Sequence, residues 1–370
     1  MTSNAGGEAM PSGLAGEAKV LIGDDRKYTV TVADVLEENV KICSLWQTGL
    51  VATNSYESKF DWYYRRHPDG LPSVIFLHHN SEGDAVGAAS VAPRRIRFND
   101  TSFLTGVLVD FVVRPEHRTF FPALILQQGV QKHALQIHRI VWGLPNPKAT
   151  AVFRRAGYQL IGQMGRYVRV LRAAGYLNRH LPGWVSCVVG PIIDLTRLAA
   201  LMFRCAAKRG YSAQWQARPD ARFNDLWVRS AKPEQLMGVR DEQYLSWRFV
   251  DCPLAVHAFF TLVSNLDQRL VGYAVCEFEQ QTLHVRDFLV DPNVFGASER
   301  LWCELAREAF HKGCASLSVE FFGAELLQRE LNKAGLAARA QSPLYAAAID
   351  PSSVMLKEAH WYITSADLDG

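Results

Sequence analysis

Several features that would assign the sequence quickly are missing from it. The seven cysteines, Cys43, Cys187, Cys205, Cys252, Cys276, Cys303 and Cys314, are scattered, odd in number and include no CxxC pair. That spacing builds neither a zinc site nor a disulfide framework, and it fits reduced thiols in a cytosol. Excess charge of one sign is also scarce. Forty basic against 37 acidic residues leave +3 over 370 residues, too little to indicate a nucleic-acid partner without a local basic patch. There is no Walker loop, no GxGxxG after a strand, no serine nucleophile elbow and no HExxH pair. Kinase, dinucleotide dehydrogenase and classical hydrolase chemistry therefore have no support. His78 and His79 are adjacent and point to opposite faces of a strand, so no metal is expected there. Residues 1–25 lack the basic start and apolar core of a signal peptide, and a mobile tail is expected. The longest apolar run, Trp184 to Phe203, approaches membrane-spanning length but carries Pro191, Asp194 and Arg197 near its middle. Charges at that depth are costly, which excludes a spanning helix.

What is present is ordinary globular composition, 48% hydrophobic and 21% charged, in a chain with room for two domains. The pattern is dense from Lys27 onward and changes character between Arg169 and Asp220. There Ile192, Leu195, Leu198, Met202 and Cys205 follow helical spacing, with Asp194, Arg197, Arg204 and Lys208 towards another side. Two readings of this amphipathic helix stand: packing on one of the domains, or peripheral contact with a membrane through residues 184–209, aided by Arg169, Arg172, Arg179 and Arg209. The expected location is cytoplasmic, at the inner face of the membrane in the second reading.

The two halves echo each other. Asp110-Phe-Val-Val-Arg-Pro115 and Asp287-Phe-Leu-Val-Asp-Pro292 both read as a strand with one carboxylate, ended by a proline that cannot continue a central ladder. Each is followed by a helical pattern and a short apolar strand, Ile140-Val-Trp142 or Leu317-Ser-Val319. A second helix then ends at Gly157 or Gly335, where glycine suits a C-terminus. The interval from proline to glycine is 42 residues in one half and 43 in the other. Upstream, Val86-Gly87-Ala88-Ala89 matches Val271-Gly272-Tyr273-Ala274. The ordered series predicts a tandem duplication of one α/β unit.

The unit resembles the GNAT acyltransferase family. Asn146, Ala149, Phe153, Gly157 and Tyr158 reproduce the series of that family's last helix, and Val113 to Arg118 resembles its strand end and pyrophosphate loop. The resemblance covers about residues 27–170, and 223–349 more loosely. It implies two tandem GNAT-like domains, each a mixed, largely antiparallel twisted sheet flanked by helices. The expected boundaries are a tail at 1–25, a first domain at 26–170, an amphipathic helical linker at 171–220 and a second domain at 221–365. It also implies acetyl-CoA or another acyl-CoA as co-substrate and a ternary reaction without a covalent enzyme intermediate. Carrier contacts would fall to Phe111, Val113, Arg118, Phe121, Ala123 and Asn146. The unpaired N–H groups and dipole of a helix N-terminus explain how such a loop holds phosphate.

Two departures bear on this. Phe121 stands where the family has glycine, so a protein-bound phosphopantetheine is an alternative donor. Phe153 stands where many relatives place a tyrosine acid, and phenylalanine donates no proton. A thiol leaves readily without one, so the base matters more. Asp110, in an apolar strand where burial favours the neutral form, is the first candidate base, with Asp287 its counterpart. For Asp110 a structural role, fixing the strand through hydrogen bonds, competes equally. Tyr63, Arg65, Tyr244, Trp247 and Arg248, in aromatic and basic segments ahead of the apolar strands, would line an acceptor cleft or form packing helices. The expected activity is acyl transfer from a CoA or phosphopantetheine thioester to an amine or hydroxyl on a small molecule, sugar or glycan precursor, as in polysaccharide biosynthesis. Alternatives are a Fem-type transferase using aminoacyl-tRNA, which the near-neutral first half disfavours, and a non-catalytic GNAT-like binding protein.

Overall fold

The computed structural model describes residues 27–50, 55–172, 210–357 and 360–368, with positions 193, 195, 196 and 199 between. The tail and most of the amphipathic helix expected at 192–209 lie outside the described residues. Among the described residues, no helix is long and apolar enough to cross a membrane.

The first half runs β1 (Tyr28–Val32), α1 (Asn39–Gln47), α2 (Tyr56–Phe60), β2 (Ser73–His79), β3 (Ala85–Phe98), β4 (Thr101–Val113), α3 (Phe120–Ile137), β5 (Ile140–Gly143), α4 (Thr150–Arg155) and β6 (Gln159–Val170). The second half repeats the order. It runs β7 (Tyr211–Gln216), α5 (Ala221–Ser230), β8 (Gln235–Gly238), α6 (Glu242–Leu245), β9 (His257–Ser264), β10 (Leu270–Glu279), β11 (Thr282–Val290), α7 (Ala297–His311), β12 (Ser316–Phe322), α8 (Glu325–Lys333) and β13 (Ala337–Ala348). A short helix, α9 (Val354–Lys357), and a last strand, β14 (His360–Thr364), complete the chain. Among the described residues only the second half carries the short β8, and α2 and α6 each run directly into a single π turn, Asp61–Arg65 and Ser246–Val250.

Local chemistry sets these elements. The β3–β4 hairpin turns on Asn99 and Asp100, both at positive φ (48° and 57°), the conformation that matches strand twist in a two-residue turn and that Asn and Asp tolerate. Ser55 caps α2 by accepting from the Ser58 N–H, and Asp241 caps α6 through Tyr244 N–H.

The fourteen strands among the described residues join one sheet, whose main path is β1-β2-β3-β4-β5-β13-β6-β12-β11-β10-β9-β7. The halves exchange their last strands across it. β13 of the second half lies antiparallel to β5 of the first, and β6 of the first lies antiparallel to β12 of the second, with β6 and β13 paired between them. The crossing is tight. A Cβ at Gly162 in β6 would meet the Phe322 ring at 2.2 Å, so glycine is required by the close approach. A side path, β3-β8-β14-β12, ties the halves a second time.

The contact between halves is also reciprocal in its side chains. The two π turns place Trp62 and Trp247 in a stack 5.5 Å apart. The indole N–H of Trp62 donates to the Trp247 carbonyl at 2.7 Å, and that of Trp247 to the Trp62 carbonyl at 3.1 Å. Both rings are buried, so each carbonyl that the π turn leaves over finds its donor in the other half.

Candidate functional site

In the first half, β4 and β5 pair in parallel only at Gly106–Val141 and Val107–Trp142. β4 then runs on to Val113 against β3 alone, so the two central strands part. Within that stretch the ladder to β3 slips: Val112 faces Ala88 and Val109 faces Ser90, leaving Asp110 and Phe111 opposite Ala89. The extra residue is Asp110, at φ 53°. A non-glycine residue held there in mid-strand is strained, and bulges of this kind re-aim a side chain.

The carboxylate is aimed at α2 and its π turn. Lys59 Nζ donates to one Asp110 oxygen at 2.5 Å and Tyr64 Oη to the other at 2.7 Å. All three residues are buried, Asp110 to 2% and Lys59 to 4% exposure. Trp46 walls the cluster, its ring 5.2 Å from Tyr64 and 5.6 Å from the Lys59 ammonium. In the sequence Lys59 stands unmarked and Tyr64 stands only within the aromatic and basic segment that holds Tyr63 and Arg65. A lysine in an otherwise polar helical turn carries no signal of burial, and only the turn's position over the bulge gives it a partner.

The remaining carrier candidates cluster at the end of β4. Arg114 N–H donates to Val86 O, so Val113 turns its own carbonyl away from β3 and into the gap. That carbonyl is taken by Arg118, which donates through Nε (3.1 Å) and Nη2 (3.0 Å) and also reaches Thr48 O at 3.3 Å. Arg118 thus lies on the strand end, exposed on one side. Phe121 is 64% exposed at the start of α3, Ala123 and Phe111 are half-buried beside the α3 core, and Pro122 contributes no N–H. Asn146 caps the turn before α4 by accepting from Ala149 N–H at 2.9 Å. Phe153 is buried against Tyr158 and Tyr345.

The second half parts its strands in the same place, since β11 and β12 pair only from Thr282–Ser316 to Val285–Val319. Its carboxylate is enclosed. Asp287 accepts from Arg240 Nε (3.0 Å), Thr364 Oγ1 (2.6 Å) and Tyr273 Oη (2.7 Å) at zero exposure. Arg240 also binds Asp367, which in turn holds Arg94 of β3 at 2.8 Å. Burial alone would raise the Asp367 carboxyl, but the Arg240 and Arg94 guanidiniums outweigh it and hold the group below the usual carboxylate range. β14 occupies the gap. It pairs with β12 at Phe321 and Phe322, and Tyr362 Oη donates to the Phe288 carbonyl.

Four of the five acceptor candidates fall at the contact between halves. Tyr63, Tyr244, Trp247 and Arg248 are buried there, while Arg65 is exposed beside Asp61. Tyr244 Oη donates to Ala366 O at 2.7 Å, and Arg248 donates to the carbonyls of Ser365, Ala366 and Leu368. Their donors therefore hold the C-terminal segment. His67 packs between Tyr63 and Trp247 and accepts from Asp69 N–H. Burial, with Arg94 and Arg248 nearby, holds its imidazole down at about 3, so it is neutral.

No protein-family model and no curated protein sequence matches the chain. Solved structures do. A GCN5-related N-acetyltransferase from Kribbella flavida aligns with a TM-score of 0.58 at 13% identity, over 90% of this chain and 74% of that one. A tandem GNAT protein from the clavulanic acid biosynthesis pathway aligns at 0.52 and 14% identity, over 88% of this chain and all of that one. The N-myristoyltransferase of Saccharomyces cerevisiae, solved with bound myristoyl-CoA, aligns at 0.52 and 10% identity, over 90% and 84%. At such identities the likeness is one of fold, and it extends across both halves.

Proposed function

From a fold of two GNAT-like halves, we propose that the chain moves an acyl group from a thioester to an amine or hydroxyl acceptor, and that the chemistry belongs to the first half. The observation that carries this is the parting of β4 from β5 beside the bulge at Asp110, whose carboxylate Lys59 and Tyr64 hold. The gap offers strand-end backbone to an extended carrier arm, as an added strand would use it. The fold likeness to an enzyme with bound myristoyl-CoA supports an acyl-CoA donor.

In this reading the acceptor's nucleophile attacks the thioester carbonyl, and Asp110 takes its proton directly or through one water. Lys59 and Tyr64 hold the carboxylate in place. The leaving thiolate needs no protein acid, which accords with phenylalanine at 153. Backbone donors near Val113 would polarise the carbonyl, and Arg118 with the start of α3 would meet carrier phosphates. In the second half β14 pairs with the end of β12 and Tyr362 holds the Phe288 carbonyl, which favours the first half as the site of transfer. An amino sugar or glycan precursor is the acceptor class we favour, and membrane contact through residues 184–209 would serve a lipid-linked one.

The test is thiol release from acetyl-CoA and longer acyl-CoA thioesters with a panel of amines and amino sugars. Release that depends on acceptor and falls in a Lys59→Met/Asp110→Asn double variant supports the proposal; no release with any pairing refutes it. A second reading, a non-catalytic acyl-carrier binder, is favoured by the Arg118 cap on Val113 O. It expects thermal stabilisation by acyl-CoA without turnover.

A further inference from the structure

The charges of the first half are unevenly placed. From Lys27 to Asp110 eight basic residues stand against ten acidic ones, but from Arg114 to Arg155 seven basic residues stand against Glu116 alone. The near neutrality expected of this half therefore holds only up to Asp110, and the layer of α3 and α4 carries the excess. Arg118, Lys132, Lys148, Arg154 and Arg155 are exposed, and none of the five has an acidic partner among the described residues. They share one side of the molecule. Phe121, Gln128 and Lys132 lie on one stripe of α3 by their spacing of seven and four. The end of α4 packs beside that helix, since Gln127 donates to Tyr158 Oη at 3.0 Å and a Cβ at Gly157 would lie 3.7 Å from the Gln131 amide.

This face borders the mouth of the gap. β4 and β5 run parallel and part towards their ends, so Arg118, after β4, and Lys148, after β5, stand on its two sides. Two exposed rings stand there as well: Phe120 (43% exposed) and Phe121 meet edge to face, 5.9 Å apart. The first turn of α3 offers little to a diphosphate. Pro122 has no N–H and the Ala123 N–H is bonded to Thr119 O, which leaves at most those of Phe120 and Phe121 in that turn. One phosphate can be met there. Five cations and two aromatic rings beyond it are more than a small anion uses, and they match the rim and anchors of a protein contact. An aminoacyl-tRNA, another anionic donor, ends in a ribose ester and has no extended arm to lie along β4.

We infer that the outer face of α3 and α4 is a docking surface for a small acidic protein that presents its acyl thioester on a phosphopantetheine arm. The arm enters the gap while the five cations and two rings hold the body that carries it. This rests on the reading that the first half takes a thioester through that gap, and it names the donor. CoA shares the arm but not the acidic body, so it stays a usable, weaker donor. The full chain is titrated with a fluorescently labelled bacterial acyl carrier protein bearing an octanoyl-phosphopantetheine arm, and binding is followed by anisotropy. The competitors are the unlabelled loaded carrier, the same carrier without its arm, octanoyl-CoA and bulk tRNA. Saturable binding is expected that weakens with added salt. It should fall about tenfold or more in Lys132→Glu/Arg155→Glu and several-fold in Phe120→Ser, with the circular dichroism spectrum of each variant unchanged. The carrier without its arm should compete, but several-fold more weakly than the loaded one. No binding, binding untouched by the charge reversal, or competition by octanoyl-CoA as strong as by the loaded carrier overturns the inference; stronger competition by tRNA overturns it in favour of a nucleic-acid surface. Thiol release from acyl-CoA without carrier binding would sink this inference alone, whereas carrier binding without release from any donor would sink the transfer reading alone.

Discussion

Asp367 is the residue on which the contact between halves can be tested most directly. It is 3% exposed and accepts from Arg94 of β3 through Nε (3.2 Å) and Nη2 (2.8 Å), from Arg240, and from Thr364 N–H at 3.2 Å. With Asp287 it balances two buried guanidiniums against two carboxylates. Asp367→Asn keeps the shape and removes one charge, leaving a net positive charge without water. Breaking a buried pair in this way costs about 3–5 kcal/mol. At about 2.1 cal/mol/K per residue, 370 residues unfolding together have an entropy near 0.8 kcal/mol/K, so the expected fall in Tm is about 5 °C. The assay is urea denaturation of the full chain at neutral pH, followed by tryptophan fluorescence and circular dichroism. A companion variant sharpens it: Arg94→Met should be destabilising alone yet relieve Asp367→Asn, since it removes the charge left over. A cost under about 1 kcal/mol for Asp367→Asn, or additivity of the two changes, would refute the account of a charge-balanced network.

Three further outcomes are expected. Lys59→Met/Asp110→Asn, which removes both buried charges together, should keep the fold and lower acceptor-dependent thiol release by about a hundredfold or more; unchanged turnover in steady-state assays would remove Asp110 from the chemistry. His67 is held at about 3 and the buried His138 at about 4, both below the ordinary 6.5 and both chiefly by burial. The unfolded chain therefore takes up protons first, so stability is level above about 6.5 and is lost as pH falls towards 3, by about 2 kcal/mol per histidine at pH 5; His67→Gln should flatten that slope by its share, and an unaltered slope in denaturation midpoints contradicts the buried neutral state. Trp62→Phe keeps the stacked ring but strands the Trp247 carbonyl, at about 1–3 kcal/mol, and a variant with wild-type urea midpoint would show that the reciprocal bonds contribute nothing.

How much of this was legible can be followed residue by residue. The Asp-Phe-x-Val-x-Pro strands, the helices after them and the glycines that end the second helices, Gly157 and Gly335, are all where the repeat places them. Both glycines sit at positive φ, 97° and 84°. These features depend on neighbours a few residues away, so the chain spells them out. The bulge at Asp110 is half legible: a lone carboxylate in an apolar strand is visible, its left-handed backbone is not. The pairing of Lys59, Tyr64 and Arg240 left no trace in the sequence, because their partners lie 51, 46 and 47 residues away. Trp62 and Trp247 read only as aromatic segments, and their mutual bonds need both π turns in place.

The sequence by itself determined two copies of one α/β unit, because period, strand-ending prolines and helix-ending glycines act locally, and the GNAT-like fold was what its family resemblance implied. Only the tertiary structure decided that the copies exchange β6 and β13, that Asp287 is locked into an ion network while Asp110 rests on Lys59 and Tyr64, and that β14 occupies the gap in the second half. Edge strands can pair with any compatible edge, and a buried charge takes whatever partner the packed halves bring to it. Both outcomes are fixed by which surfaces meet, and that is a property of the assembled sheet.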